Sequence, residues 1–289
     1  MSILIEQILN GVLVGAFFTL LALGLSIIFS LGGVVNLAHG AFYAIGAYLA
    51  VTFASVFGYP GALLIAPGAV AVIGMAIEVT LLRRLYQDDP ILTLLFTFGL
   101  AIVIEQLLRL IWGPAGIPFN IPEFLRGVLL IGGFIYPYYR LFIFGLVLLA
   151  VFLIWLLLAK TKFGLIVRAG ASDPEIVEAM GVNLKPVQTA IFGLGVALAA
   201  FSGVIAAPLA GVQPAMGNDV VMAAFVIVVI GGLGSFWGVL LAGVLVGVVR
   251  GITITFFPPA AEASMYALMV LILLVRPRGL FGERMERLE

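Results

Sequence analysis

Along the chain, apolar residues come in long runs separated by short polar, glycine or proline breaks. Nine runs predict helical spans, near Ile8–Leu31, Asn36–Phe57, Gly61–Leu82, Ile91–Trp112, Leu141–Ala159, Pro186–Gly211, Val220–Gly231, Phe236–Phe256 and Ala263–Val275. In hydrocarbon only helices and closed barrels satisfy every backbone N–H and C=O, and the in–out alternation of a barrel strand is absent. Glycines interrupt Asn36–Gly46 and Val220–Gly238, so either segment reads as crossing or as re-entrant. With roughly 20 residues needed per crossing, the expectation is an all-α polytopic transmembrane bundle of about eight to ten spans, some broken or re-entrant. The whole chain, Met1–Glu289, is read as a single transmembrane domain.

Composition makes the solvent explicit. Hydrophobic residues are 64% and charged residues 10%, with a mean hydropathy of +1.29. A soluble domain carries about 45–50% apolar and about 25% charged residues, so most of this chain is solvated by lipid. The formal net charge is zero, which gives nucleic-acid binding no electrostatic footing. With no cysteine and one histidine, disulfides, thiolate chemistry and His-cluster metal sites are excluded, and no cofactor is expected. No Lys or Arg precedes the first apolar run, so that run is expected to be a span and not a cleaved leader.

Basic residues orient the bundle. Arg83 and Arg84, then Lys160, Lys162, Arg168 and Lys185, then Arg276, Arg278, Arg284 and Arg287 make ten of the fourteen, in three segments that nine alternating spans place on one side. The positive-inside rule makes that side cytoplasmic, with the C-terminus inside and, for an odd count, the N-terminus outside. The loop Gly113–Arg140 is then extracytoplasmic, with Pro114, Pro118, Pro122 and Pro137 and an expected interfacial segment around Phe124–Phe134.

The cytoplasmic loop Thr161–Lys185 holds the most specific local signal. Ser172 and Glu175 have capping-box spacing around Asp173, Pro174 fits the first turn, and Gly181 follows the last helix former. The spacing predicts a helix of about two turns, too short to span, with Ile176, Ala179 and Met180 on one face and Asp173, Glu175 and Glu178 supplying charge. So short a helix is marginal alone. Its apolar face rests on the protein's own surface as a connector or docks a soluble partner, helix in groove.

At this loop the sequence resembles the permease subunits of branched-chain amino-acid ABC transporters. The segments that carry the resemblance are NLAHGAFYAIGAY at Asn36–Tyr48, LLRRLYQDDPILTLLFTFGLAIVIEQLLRLIWG at Leu81–Gly113, TKFGLIVRAGASDPEIVEAMGVN at Thr161–Asn183, GGLGSFWGVLLAGVLVG at Gly231–Gly247 and VRPRGLFG at Val275–Gly282. The resemblance implies a permease domain in a bacterial inner membrane. Its partners would be two cytoplasmic ATP-binding subunits, a second permease (the same or different) and an extracytoplasmic solute-binding protein. It makes Ser172–Met180, closed by Gly181, the coupling helix that meets the ATPase. No G-x-x-x-x-G-K-[ST] is present, so energy would come from another chain or an ion gradient. Branched-chain amino acids are the family's usual cargo; urea or short amides are the alternative.

The remaining polar and small residues have two readings each. Asn36, His39 and Tyr43 share a helix face, and the resemblance places them near the translocation pathway; a lone buried histidine equally suits helix packing. Gly231, Gly232 and Gly234 break a span and would line a pathway only if buried or wet. Glu105 and Arg109 have the spacing of an ion pair, Glu78 is within reach of Arg83 and Arg84, and Arg250 has no evident partner. Stripes at Gly195, Ala199, Gly203, Ala207, Gly211 and at Gly243, Gly247, Gly251 suit close helix packing. Gly32-Gly33 and Gly231-Gly232 hint at an internal repeat. An intramembrane enzyme is disfavoured, since neither H-E-x-x-H nor G-x-S-x-G occurs, and a secondary transporter is the remaining rival.

Overall fold

The computed structural model describes residues 2–33, 35–86, 89–131 and 134–282, so Arg284 and Arg287 of the basic set lie outside the described residues. The first helix, α1 (Ser2–Gly32), ends at Gly33, whose φ of 64° stops it. α2 (His39–Thr80) is two helices, 39–57 and 59–80, joined at Gly58, where φ 68° and ψ 171° break the hydrogen-bond ladder and Pro60 restarts it. α3 (Pro90–Trp112), α4 (Tyr138–Lys160), α5 (Lys162–Ser172), α6 (Pro174–Ala179), α7 (Lys185–Ala210), α8 (Met216–Gly231), α9 (Phe236–Phe256) and α10 (Ala261–Val275) follow. Seven helices are long and apolar enough to cross a membrane, and α8 is a shorter apolar helix. With α2 divided at Gly58 and α8 included, the described residues hold the nine apolar segments that the hydrophobic pattern predicts.

Contacts fix which helix ends share a side. Gly170 of α5 lies against Leu31 at the end of α1 and Leu184 before α7, Gly234 sits by Ser30, and Gly232 meets Gly282. Arg83 bonds Thr189 in the first turn of α7. The three basic segments therefore gather at one end of the bundle. At the other end Tyr59 donates to or accepts from Tyr139 at 2.6 Å, Arg140 donates to Asn10, and Ile117 pairs with Val212. Here the loop expected to be extracytoplasmic takes another form: a hairpin, β1 (Val128–Ile131) against β2 (Phe134–Pro137), replaces the interfacial segment, and α4 begins at Tyr138, before Arg140.

The packing repeats with its halves exchanged. α1 runs toward the basic end and α7 away from it, and they cross where glycine faces glycine: a Cβ on Gly24 would lie 2.5 Å from the Gly195 carbonyl oxygen, and one on Gly195 2.7 Å from that of Gly24. The following helices cross in the same manner at Gly40 and Gly217, each pressing on the other's carbonyl. Gly33 and Gly211, at φ 64° and 72°, end α1 and α7, and each N–H bonds the carbonyl four residues back. Residues 59–80 of α2 pack on α7 through Gly74 and Gly193, while α9 packs on α1 through Gly243 and Gly247 against Gly15 and Gly11. Thus α1–α3 and α7–α10 are inverted repeats joined by α4–α6. The repeat hinted at by the sequence is real, but its registers are Gly33 with Gly211 and Gly58 with Gly232. Both small-residue stripes serve packing within the chain, with Gly203 set against Tyr43 and Ala47.

Two glycine substitutions separate packing from propensity. A Cβ on Gly203 would collide with the Tyr43 carbonyl, whereas one on Gly99, mid-way along α3, meets nothing within 4 Å. Gly203→Ala should cost about 1–3 kcal/mol through overpacking. Gly99→Ala should stabilise by up to ~1 kcal/mol through helix propensity. Thermal unfolding in detergent should move down for the first and up for the second.

Candidate functional site

Every break in helical propensity between α4 and α7 builds the loop at the basic end. Thr161 caps α5, its hydroxyl accepting from the Gly164 N–H at 3.1 Å, and Gly164 turns so tightly on Leu158 that a side chain has no room. Gly164, Val167 and Gly170 form the buried face of α5, an element the sequence pattern did not mark. Ser172 is the last residue of α5, and its hydroxyl donates to the Arg168 carbonyl. The cap of α6 is instead Asp173, whose carboxylate accepts from the Ile176 N–H at 3.0 Å. The helix start moves one residue beyond the expected box because a carboxylate one position before Pro174 reaches the third amide, and Pro174 needs no partner for its nitrogen. Gly181, at φ 86°, ends α6, with Val182 N–H returning to Val177.

The two faces of α6 differ. Val177 is buried and anchors the helix to the bundle, while Ile176 is 58% and Met180 77% exposed. Glu175, Glu178 and Ala179 are exposed with them. An apolar pair ringed by carboxylates therefore faces away from the bundle at its basic end. At the same end of the bundle, Glu78 is fully buried near the end of α2 and holds Arg83 at 3.0 Å and Thr189 at 2.8 Å, tying α2 to α7.

Asn36, His39 and Tyr43 are brought together at the centre of the bundle. The Asn36 side-chain oxygen accepts from Ala38 N–H at 3.0 Å, holding the turn that starts α2. His39 is fully buried and donates from Nε2 to the Leu21 carbonyl at 3.0 Å, which can only accept. Its Nδ1 and the Asn36 amide nitrogen have no partner among the described residues. Tyr43 is 2% exposed, with its ring edge-on to Phe17. Gly231, Gly232 and Gly234 lie apart from this group. They form the turn between α8 and α9 at the basic end, where Leu280 and Phe281 N–H bond the Ile230 and Gly231 carbonyls. This segment is a turn between two helices, not an interruption within one.

The remaining charges find partners largely where spacing suggested. Arg109 donates to Glu105 at 2.6 Å, and Arg250 lies 5.4 Å from the centre of the Phe18 ring. Sequence reasoning passed over Asn218, which donates to the second oxygen of Glu105 at 3.1 Å. Its signal was available: Asn218 and Asp219 are adjacent polar residues in the first turn of an apolar helix.

These features describe a multi-pass helical membrane protein with two inverted halves and an exposed two-turn helix at its basic end. The family described as branched-chain amino acid transport system, permease component, matches residues 7–275, and the chain belongs to it. Among its relatives is the high-affinity branched-chain amino acid transport system permease protein BraD of Pseudomonas aeruginosa, 29% identical over 96% of this chain and 95% of that one. LivH of Escherichia coli K12 is 26% identical with the same coverage. LivM of that organism is 30% identical over 91% of this chain and 67% of its own. In fold the chain is similar to a chain of PsaBC from Streptococcus pneumoniae, solved in complex with Fab, at a TM-score of 0.51 and 12% identity over 96% of this chain and 93% of that one. As a member of that permease family with seven helices long and apolar enough to cross a membrane, the protein is a multi-pass protein of the bacterial inner membrane.

The two capping assignments for α6 are separable. Asp173→Ala should loosen the helix by about 1 kcal/mol, seen as roughly fivefold faster amide exchange at Val177–Ala179. Ser172→Ala should leave exchange there unchanged.

Proposed function

We propose that this chain is the membrane-spanning subunit of an ABC importer that moves branched-chain or related amino acids by alternating access. The single observation that carries the reading is α6, a helix capped at both ends that keeps Val177 for the bundle and turns Ile176 and Met180 outward. Such an apolar pair on a membrane protein's polar end suits a groove on a soluble partner. Two separate cytoplasmic ATPases are the partner chemistry proposed, since the chain has no phosphate-cradling loop of its own. The basic end then faces the cytoplasm. A second permease, identical or not, completes the pathway. A solute-binding protein delivers cargo to the opposite end, where the β1–β2 hairpin and the Ile117–Val212 bridge lie. Asn36, His39 and Tyr43 are proposed to line the closed centre of the path, with Gly231, Gly232 and Gly234 giving the turn at its inner end.

In this mechanism nucleotide-driven closure of the ATPases shifts α6, and α5 passes the shift to the ends of α1 and α7 through Gly170, Leu31 and Leu184. The Glu78–Arg83–Thr189 contacts carry it on to α2.

Ile176→Asp and Met180→Asp test the reading in the reconstituted transporter. Burying either apolar side chain is worth about 1.5–3 kcal/mol, so each change should weaken ATPase binding about tenfold or more. Thermal unfolding of the permease should not move, because both side chains are exposed. ATPase binding and solute uptake at wild-type levels would overturn the proposal.

A further inference from the structure

α4 carries a lipid-facing stripe: Leu149, Phe152, Leu153 and Leu156 are all exposed, at the three- and four-residue spacing of one helix face. The stripe runs out at Lys160, four residues beyond Leu156 and also exposed, whose Nζ lies 5.9 Å from the centre of the Trp155 ring. A tryptophan near the end of a span sits at the level of the lipid headgroups. Thr161 then turns the chain into α5, and Arg168 reaches back so that its guanidinium donates to the Leu158 carbonyl in the last turn of α4. Lys160, Lys162 and Arg168 therefore gather around the end of one lipid-facing helix. None of the three has a carboxylate partner among the described residues, whose ion pairs are Arg83–Glu78, Arg109–Glu105 and Arg126–Glu123.

α5 itself lies beyond the spans and has two faces. Gly164 is buried against Leu158 and Gly170 against Leu31 and Leu184, while Lys162, Leu165 and Arg168, at three-residue spacing, are exposed. Leu165 is 60% exposed. An apolar side chain set between cations on a helix just past a span is the pattern of a helix lying in the membrane interface. The neighbouring α6 has the opposite sign, with Glu175 and Glu178 exposed and no cation. An anionic surface attracts α5 and repels α6, so the two helices suit different partners.

We propose that the corner of α4 and α5 is a headgroup site for an anionic phospholipid. Lys160, Lys162 and the remaining donors of Arg168 supply charge for its phosphate, and Leu165 with the stripe of α4 seats its acyl chains. The site goes beyond the transport reading and does not depend on the cargo. Arg168 suits the phosphate best, since a planar guanidinium forks onto two oxygens. Each cation near an anionic surface strengthens the attraction about fivefold. Because Gly170 ties α5 to Leu31 and Leu184, a lipid held here also steadies the arm from which α6 projects.

Trp155 reports on the site directly. The full chain, with Trp112→Phe and Trp237→Phe so that Trp155 is its only tryptophan, is reconstituted in vesicles of phosphatidylcholine and phosphatidylglycerol. Quenching of Trp155 by each lipid, brominated in its acyl chains, gives the ratio of their affinities. The ratio should favour phosphatidylglycerol about tenfold or more, and Lys160→Gln and Lys162→Gln should each lower it about fivefold. Both lysines are exposed, so their double variant decides even if Arg168→Gln fails to fold. A ratio near one in the parent chain, or an unchanged ratio in the double variant, overturns the proposal. Loss of the preference when millimolar inorganic phosphate replaces chloride at equal ionic strength would give the corner to free phosphate. Loss on adding the purified ATPase subunits would give it to that partner, and either result overturns the lipid site.

Discussion

Close approach of backbones at two glycine-on-glycine crossings, Gly24 with Gly195 and Gly40 with Gly217, is the constraint from which the rest of the packing follows. Lipid gives helices no hydrophobic reason to associate, so van der Waals contact and hydrogen bonds must hold them. Removing both Cβ atoms at a crossing lets carbonyls and Cα atoms touch directly. The second-tier contacts, Gly74 against Val196 and Gly15 against Gly243, are set at the distances these crossings leave. They also bring the Leu21 carbonyl within reach of His39, so that the one histidine of the chain is spent on fixing α2 to α1.

Charges are arranged around this apolar framework according to how much water each can keep. Glu78, fully buried, has a guanidinium and a hydroxyl; Glu105, partly open, has a guanidinium and an amide. Arg250 has no carboxylate and lies over the face of Phe18, where the ring quadrupole substitutes in part for an anion. Apart from Arg83, which pairs with buried Glu78, the described Lys and Arg side chains at the basic end are exposed, and there α6 exposes Ile176 and Met180 among carboxylates.

Much of this was legible before any coordinate. Nine apolar runs map onto nine apolar helical segments, because span length is set by the bilayer and little else. Local pairs such as Glu105–Arg109 were legible for a similar reason, since helical geometry alone joins them. What the sequence concealed depends on contact between distant segments. The inverted repeat was misregistered, because Gly33 and Gly211 are matched by their positive φ and by one short Leu-x-Gly-Val stretch, a weaker signal than the paired glycines at Gly32-Gly33 and Gly231-Gly232. Asn218 was overlooked because its partner is 113 positions away. The cap of α6 was misplaced by one residue, Ser172 for Asp173, since both can cap and only the end of α5 decides between them. Asn36, expected on one helix face with His39 and Tyr43, lies in the turn before α2, since its side chain accepts from the Ala38 N–H and the helix begins only at His39, and the glycines named with them form a turn at the far end of α8.

The inversion of the two halves has a consequence for how the chain enters a membrane. α1–α3 starts at one side and finishes at that same side, its four apolar segments being even in number. A second set following directly would insert the same way round and could not meet the first across a two-fold axis. α4 alone reverses the parity. It contributes less to the central core than α7, yet it acts as the adaptor that presents the second half upside down to the first, and the fold could not close without one odd crossing at that point.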